Sequence, residues 1–359
     1  MTDMLAQITE QGGGWIYLDQ TGDQGGFEVL RNIAHAVGRA DSFYGVVFGS
    51  NSSGKTHSYS PLARGTASTL ASCMSRIINS GPVESPGAAY YHQLAKFTFE
   101  NVIAALRATD RSATVETVAE ALTQPEGLQA LATSLPDDSS VRANLAVVQE
   151  SNPRYSELGR MLRSAIEPFT EVLCSPAPEV DLLRAMQNNQ MVYISLPVLE
   201  APVPSAAAIR MFNEDLVDAL HTFVHTGPVP SPLPFVIALQ RPEDFVSTLY
   251  RDGFPATLGN AGVALAAVVP GLGELARRDN LDARTILTQC RTALLFAHDA
   301  PNAESAALLL AKQGASISDD DLASVPPGHF IIHLNKPPAK ARKATVNRGR
   351  LLRGGRRMG

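Results

Sequence analysis

Three cysteines in 359 residues, Cys73, Cys174 and Cys290, are too few and too scattered for a disulfide scaffold or a thiolate metal site. They read as inert thiols. Among eight histidines His221 and His225 are the pair four apart within a helical pattern, as HTFVH, and no nearby carboxylate completes a metal set. No apolar run approaches the roughly 20 residues of a membrane-spanning helix. The first residues, MTDMLAQITEQ, lack the basic start and apolar stretch of a secretory signal. A cytoplasmic protein is expected, with any association with the inner membrane made through partners. Aromatic residues are sparse, at 6% with one Trp. No G-x-S-x-G elbow is present, so a hydrolase of that type is unsupported. No G-x-G-x-x-G follows a strand, and the GGG at 12–14 precedes one, so the dinucleotide fingerprint also fails. What remains is 45% hydrophobic and 18% charged, a globular chain long enough for one large or two ordinary domains.

Acidic residues are lacking at one end. From Lys336 to Gly359 there are nine Lys and Arg (Lys336, Lys340, Arg342, Lys343, Arg348, Arg350, Arg353, Arg356 and Arg357) and no Asp or Glu. The net charge of the chain is −5, so the remaining body stands at −14. A basic segment with few large apolar groups is expected to be disordered when free. It reads either as an arm for DNA or another polyanion, or as a solvated tail.

One string matches a phosphate loop. GSNSSGKT, residues 49–56, follows the apolar run FYGVVF at 43–48. In such a loop, backbone N–H groups of the Gly49–Gly54 stretch would turn onto a phosphate. Lys55 would add a charge and the Thr56 hydroxyl would reach magnesium, so ATP and magnesium are candidate cofactors. The exit is unfavourable. A working loop opens a helix, yet Pro61 comes five residues after Thr56, and residues 57–61 read as turn or extended chain.

Strand patterns fall at 14–19, 43–48, 190–196, 233–239, 262–269, 291–297 and 328–334. Helical periodicity falls between them, and several strands are continuously apolar, as in a parallel sheet covered on both faces. Between 88 and about 183 only helical patterns occur, including 88–108, 114–122, 125–134, 140–150 and 154–174. These predict an α/β fold: a doubly wound, mostly parallel sheet interrupted by an all-helical domain. The expected division is 1–87 and 184–335 for the two parts of the α/β domain, 88–183 for the helical insertion, and 336–359 for the basic tail.

Five local strings, in order, resemble the cytoplasmic ATPase domain of type IV secretion and conjugation coupling proteins, the TraD/TraG-like family. They are GGGWIYLDQTGD (12–23), HSYSPLARGTASTLASCMSRII (57–78), YYHQ (90–93), QMVYISLPVLEAP (190–202) and DDLASVPPGHFIIHL (320–334). The resemblance is diffuse and covers most of the chain. It implies a RecA-like, P-loop NTPase type of sheet, partners in conjugation or secretion machinery, and a possible oligomer. It also implies where catalytic groups should stand. The family's phosphate loop lies upstream of its GGG strand, so GSNSSGKT falls instead at a variable loop. Its second motif ends an apolar strand in Asp-Glu, the Asp holding magnesium and the Glu polarising water. This chain has Leu239 and Gln240 there, with Glu243 and Asp244 further on. A Gln that senses the γ-phosphate is replaced by Pro270.

Two further sites were weighed. Asp19 and Asp23 read as a strand-end turn rather than a magnesium pair. Arg277 and Arg278 read as a solvated helix face. The expectation is a non-catalytic, degenerate coupling-protein-like domain serving as a scaffold or adaptor. One alternative is an ATP-binding or hydrolysing protein using residues 49–56. The other is a nucleic-acid-binding protein using the tail.

Overall fold

The computed structural model describes residues 1–22, 24–49, 56–61, 63–78, 86–124, 126–151, 155–226, 233–240, 258–259, 261–269, 292–296, 298–311, 316–326, 329–334 and 340–345. The chain divides into two compact units. The larger comprises Thr2–Ala238 and Asn260–Leu265; the smaller comprises Leu239–Gly259 and Ala266–Gly359, with Met1.

Helix α1 (Thr2–Glu10) leads into β1 (Trp15–Asp19), then α2 (Gln24–Ala36) and β2 (Phe43–Val47). Strand β3 is Met191–Ser195, β4 is Phe235–Gln240 and β5 is Val263–Val268. The five make one sheet in the order β2-β3-β1-β4-β5. Strand β3 lies parallel to both neighbours, with Tyr193 opposite Tyr17 on one side and Gly45 on the other. Every residue of β1 and β3 is buried, which explains their unbroken apolar runs. The start of the sheet is tied by Arg39. Its guanidinium donates to the carbonyls of Gly13 and Asn189, each at 2.6 Å, just before β1 and β3 begin.

Strands β2 and β3 are neighbours in space, yet more than 140 residues separate them. This connection carries α3 (Ala67–Ile78) and then the inserted helical domain. The insertion has α4 (Pro86–Ala108), α5 (Val115–Thr123), α6 (Gly127–Thr133), α7 (Ser140–Ser151), α8 (Tyr155–Ile166) and α9 (Thr170–Leu173), and α10 (Leu182–Gln187) then returns to β3. Its core is aliphatic with single aromatics. Phe99, Val102, Leu106, Val118, Leu122, Leu131, Leu145 and Leu162 are all fully buried. Thr114 and Thr117 form a capping box that starts α5. A single helix expected over 154–174 is instead broken. Pro168 lies in a short 3-10 turn between α8 and α9, because proline removes a backbone donor and clashes with the preceding turn. After β3 comes the long, deeply buried α11 (Pro202–Thr226).

The smaller unit differs from expectation. Strand β6 (Thr292–Leu295) and strand β7 (His329–Leu334) do not extend the parallel sheet. They form a separate antiparallel sheet in the order β6-β7-β8, with Leu295 opposite Ile331. Strand β8 is Lys340–Thr345, inside the segment expected to be disordered. Its backbone pairs antiparallel with β7 from Leu334↔Lys340 to His329↔Thr345. The correction has a physical reason: ladder hydrogen bonds satisfy the backbone of a segment whose sequence offers few large apolar groups. Among the described residues, helices α12 (Ala300–Ala311) and α13 (Asp319–Ala323) also belong to the unit. Its own core contains Leu295, Ala306, Leu310, Leu322 and Ile331.

Candidate functional site

In open α/β sheets ligands bind beyond the carboxyl ends of the strands, so that edge is the first place to look. Three turns converge there. Gly22 follows β1, Gly49 follows β2 and Pro197 follows β3. Both glycines have positive φ, +69° and +109°, and a Cβ on either would stand 3.4 Å from Pro197. The Asp19 carboxylate, at the end of β1, is buried. One oxygen accepts from the Thr21 backbone N–H at 2.8 Å and from its hydroxyl at 2.6 Å; the other accepts from the Tyr193 hydroxyl at 2.5 Å. Asp19 thus shapes the turn and binds β1 to β3, as the turn reading expected. Asp23 lies outside the described residues.

The phosphate-loop string is described only at its ends. Gly49 leaves β2 in a left-handed conformation. Thr56 and His57 return alongside β2 itself. The Thr56 hydroxyl accepts from the Val47 N–H at 2.9 Å, and the His57 N–H donates to the Gly45 carbonyl at 2.7 Å. The chain then stays extended to Tyr59, whose backbone bridges Val180, and the next helix starts only at Ala67. Among the described residues, no helix therefore opens directly at the loop's exit. Residues 50–55, with Gly54 and Lys55, lie outside the described residues. At the end of β4, Leu239 is fully buried and Gln240 carries a neutral amide. Neither side chain is a carboxylate, the group that the coupling-protein resemblance implies for holding magnesium at this position. Glu243, Asp244, Pro270, Arg277 and Arg278 lie outside the described residues.

Among the described residues, no group of three or more His, Cys, Asp or Glu is placed to hold a metal. Burial raises the thiol pKa of Cys73, and that of Cys174 to about 11, which keeps both protonated and unreactive. Of the basic tail, Lys340, Arg342 and Lys343 belong to β8. Lys336, Arg348, Arg350, Arg353, Arg356 and Arg357 lie outside the described residues. No described helix is long and apolar enough to cross a membrane.

A second polar centre was not singled out from sequence. It sits where the chain leaves the sheet for the helical insertion and where it returns. Asp215 on α11 is buried. Its carboxylate accepts from the Tyr59 hydroxyl at 2.8 Å and from the Arg64 guanidinium at 3.1 Å. Arg64 also approaches Asp181, the cap of α10, at 3.4 Å. Ser58 and Glu179 are bonded reciprocally beside them, with the Ser58 N–H on the Glu179 carboxylate at 3.0 Å. Burial pushes the Asp215 carboxyl up to about 6, against the opposing pull of Arg64 and Tyr59. Burial and the neighbouring Asp215 also raise the Tyr59 phenol well above its usual range. The signal in the sequence is slight: Asp215 is one of three acids, with Glu214 and Asp218, in the α11 stretch MFNEDLVDAL. Its partners lie about 150 residues away.

No family model matches the sequence, and no curated relative matches it. Solved structures do. The conjugative coupling protein TrwBdeltaN70 superposes with a TM-score of 0.60 at 9% identity, over 96% of this chain and 91% of that one. TrwB in complex with ADP and Mg2+ gives 0.55 at 9% identity, over 94% and 86%. VirB4 of Thermoanaerobacter pseudethanolicus gives 0.59 at 13% identity, over 97% and 86%. At such identities the likeness establishes the fold alone: this chain shares the α/β architecture of the coupling protein TrwB and of VirB4.

Proposed function

We propose that this chain is a coupling-protein-like ATPase domain that has lost hydrolysis and serves as a scaffold or adaptor in conjugative DNA transfer or type IV secretion. Fold alone does not give function, so the proposal rests on a feature of the sheet edge. The carrying observation is Leu239 and Gln240 at the end of β4, in a sheet whose fold matches TrwB over nearly the whole chain. The Asp19 carboxylate offers no replacement, since both its oxygens are already bonded within the turn and to Tyr193. Its partners would be proteins of the conjugation or secretion machinery, and any contact with the inner membrane would run through them.

TrwB binds ADP with Mg2+ and the analogues GDPNP and ADPNP, and nucleotide binding by residues 49–56 is the competing reading for this chain. Equilibrium titration with a fluorescent ATP analogue and magnesium separates the two. The scaffold reading expects no saturable binding that Lys55→Ala removes. Binding that disappears in Lys55→Ala would establish Gly49, Gly54, Lys55 and Thr56 as a working loop.

A second reading is favoured by one observation, the nine cations among residues 336–359 without an acid. It makes the tail a contact for DNA. Anisotropy titrations on single- and double-stranded DNA at two salt concentrations test it. A tail that binds phosphates loses affinity and salt slope when residues 336–359 are removed.

A further inference from the structure

We infer that Asp215 is a charge-controlled lock on the neck of the helical insertion. In its ionised form it holds the two connecting segments only through Arg64 and Tyr59; when neutral it closes the neck more firmly. This inference stands apart from the nucleotide and scaffold readings.

The geometry is that of a latch. The outgoing segment supplies Ser58, Tyr59 and Arg64, the returning segment supplies Glu179, Val180 and Asp181, and α11 supplies the buried carboxylate that the outgoing segment grips. Two bonds end directly on that carboxylate, from Tyr59 at 2.8 Å and from Arg64 at 3.1 Å. The returning segment is joined through Arg64 to Asp181 at 3.4 Å. Backbone bonds cross the neck at the same level. Tyr59 N–H donates to the Val172 carbonyl at 2.9 Å, and Val180 N–H donates to the Ser58 carbonyl at 3.0 Å.

The charges around Asp215 do not balance in its favour. Arg64 is shared with Asp181. Cys73 of α3 lines the same small cavity as Asp215, and Arg76 of α3 is paired with Glu214 at 2.5 Å. Glu214 and Asp218 on α11 line the same small cavity as Arg64, Cys73 and Asp215. A buried carboxylate with one shared cation is held at a cost, and loss of that cation leaves an uncompensated charge. Burial has already raised the Asp215 carboxyl to about 6. Opening the neck returns it to an ordinary carboxylic acid. The closed neck therefore binds the proton more tightly than the open one. Closure weakens as pH rises from the ordinary carboxylate range through about 6, and strengthens on acidification.

Amide hydrogen exchange on the full chain tests this at Tyr59 and Val180, with rates corrected for the intrinsic effect of pH. Arg64→Met at neutral pH is expected to speed exchange at both amides by roughly ten- to a hundredfold, while β1 and β3 keep their protection. Lowering the pH to about 5, or combining Arg64→Met with Asp215→Asn, is expected to restore slow exchange. Tyr59→Phe, which removes a single hydroxyl, should give a smaller acceleration in the same direction. The inference is overturned if Arg64→Met leaves both amides unchanged or exposes β1 and β3 equally. It is also overturned if neither acid nor the second substitution restores the neck. Should Arg64→Met not fold, Tyr59→Phe alone decides: acceleration at the neck that acid reverses supports the lock, and any other outcome removes it.

Discussion

Two buried carboxylates in the larger unit show how differently the same group can be used. Asp19 and Asp215 each accept from a tyrosine hydroxyl, at 2.5 and 2.8 Å. Around Asp19 the remaining partners are the backbone and side chain of Thr21, two residues away. Around Asp215 they are Tyr59 and Arg64, more than 150 residues away in sequence. The first is a turn device that also ties β1 to β3 through Tyr193, and all its described donors are neutral. The second ties distant segments together and depends on a cation shared with Asp181. Neutral and backbone donors fix a turn with little electrostatic cost. A shared guanidinium makes a junction that responds to charge.

The largest expected contrast follows from removing the cation. Arg64→Met should cost about 3 kcal/mol at neutral pH, because the Asp215 charge is left buried; the partial exposure of Arg64 keeps this at the low end for such pairs. Denaturant unfolding measures it. The matching change at the turn, Thr21→Val, should cost about 1 kcal/mol, since the Thr21 N–H still donates to Asp19. Equal losses would erase the distinction between the two sites.

The pH dependence should be the next largest effect. The folded Asp215 carboxyl lies near 6, above its unfolded value. Its contribution to stability is therefore greatest below the unfolded value and is lost as pH rises through about 6. The total is on the order of 2 kcal/mol. Asp215→Asn should flatten that part of the stability profile.

The tyrosines give the smallest and most symmetrical comparison. Tyr59→Phe and Tyr193→Phe each remove one hydrogen bond to a carboxylate and should each cost about 2 kcal/mol. They should differ in where protection is lost: at the neck for Tyr59 and at the ends of β1 and β3 for Tyr193. Residue-level exchange reads this directly.

The sequence made one of these sites partly visible and hid the other. The strands of the five-stranded sheet were legible because burial on both faces leaves unbroken apolar runs such as WIYL and MVYI. The Asp19 turn was legible because its signal is local. The Asp215 junction was not, because Tyr59, Arg64, Asp181 and Asp215 meet only after the helical insertion has folded back. Helix α10 is six residues long and α1 was not marked by a strong periodic pattern, so neither stood out. The apolar runs of β6 and β7 showed that strands exist there but not which sheet they join, since a strand's partners are chosen by tertiary packing. Strand β8 carries three cations and no large apolar residue, so composition pointed to a free tail.

The claim that matters most is that this fold is kept without hydrolysis. Steady-state release of phosphate from ATP by the full chain, with magnesium, tests it most directly. The expected result is a rate no higher than a protein-free control, unchanged by Lys55→Ala. Turnover of about one per second, within the ordinary range of enzymes, that is lost in Lys55→Ala would contradict it.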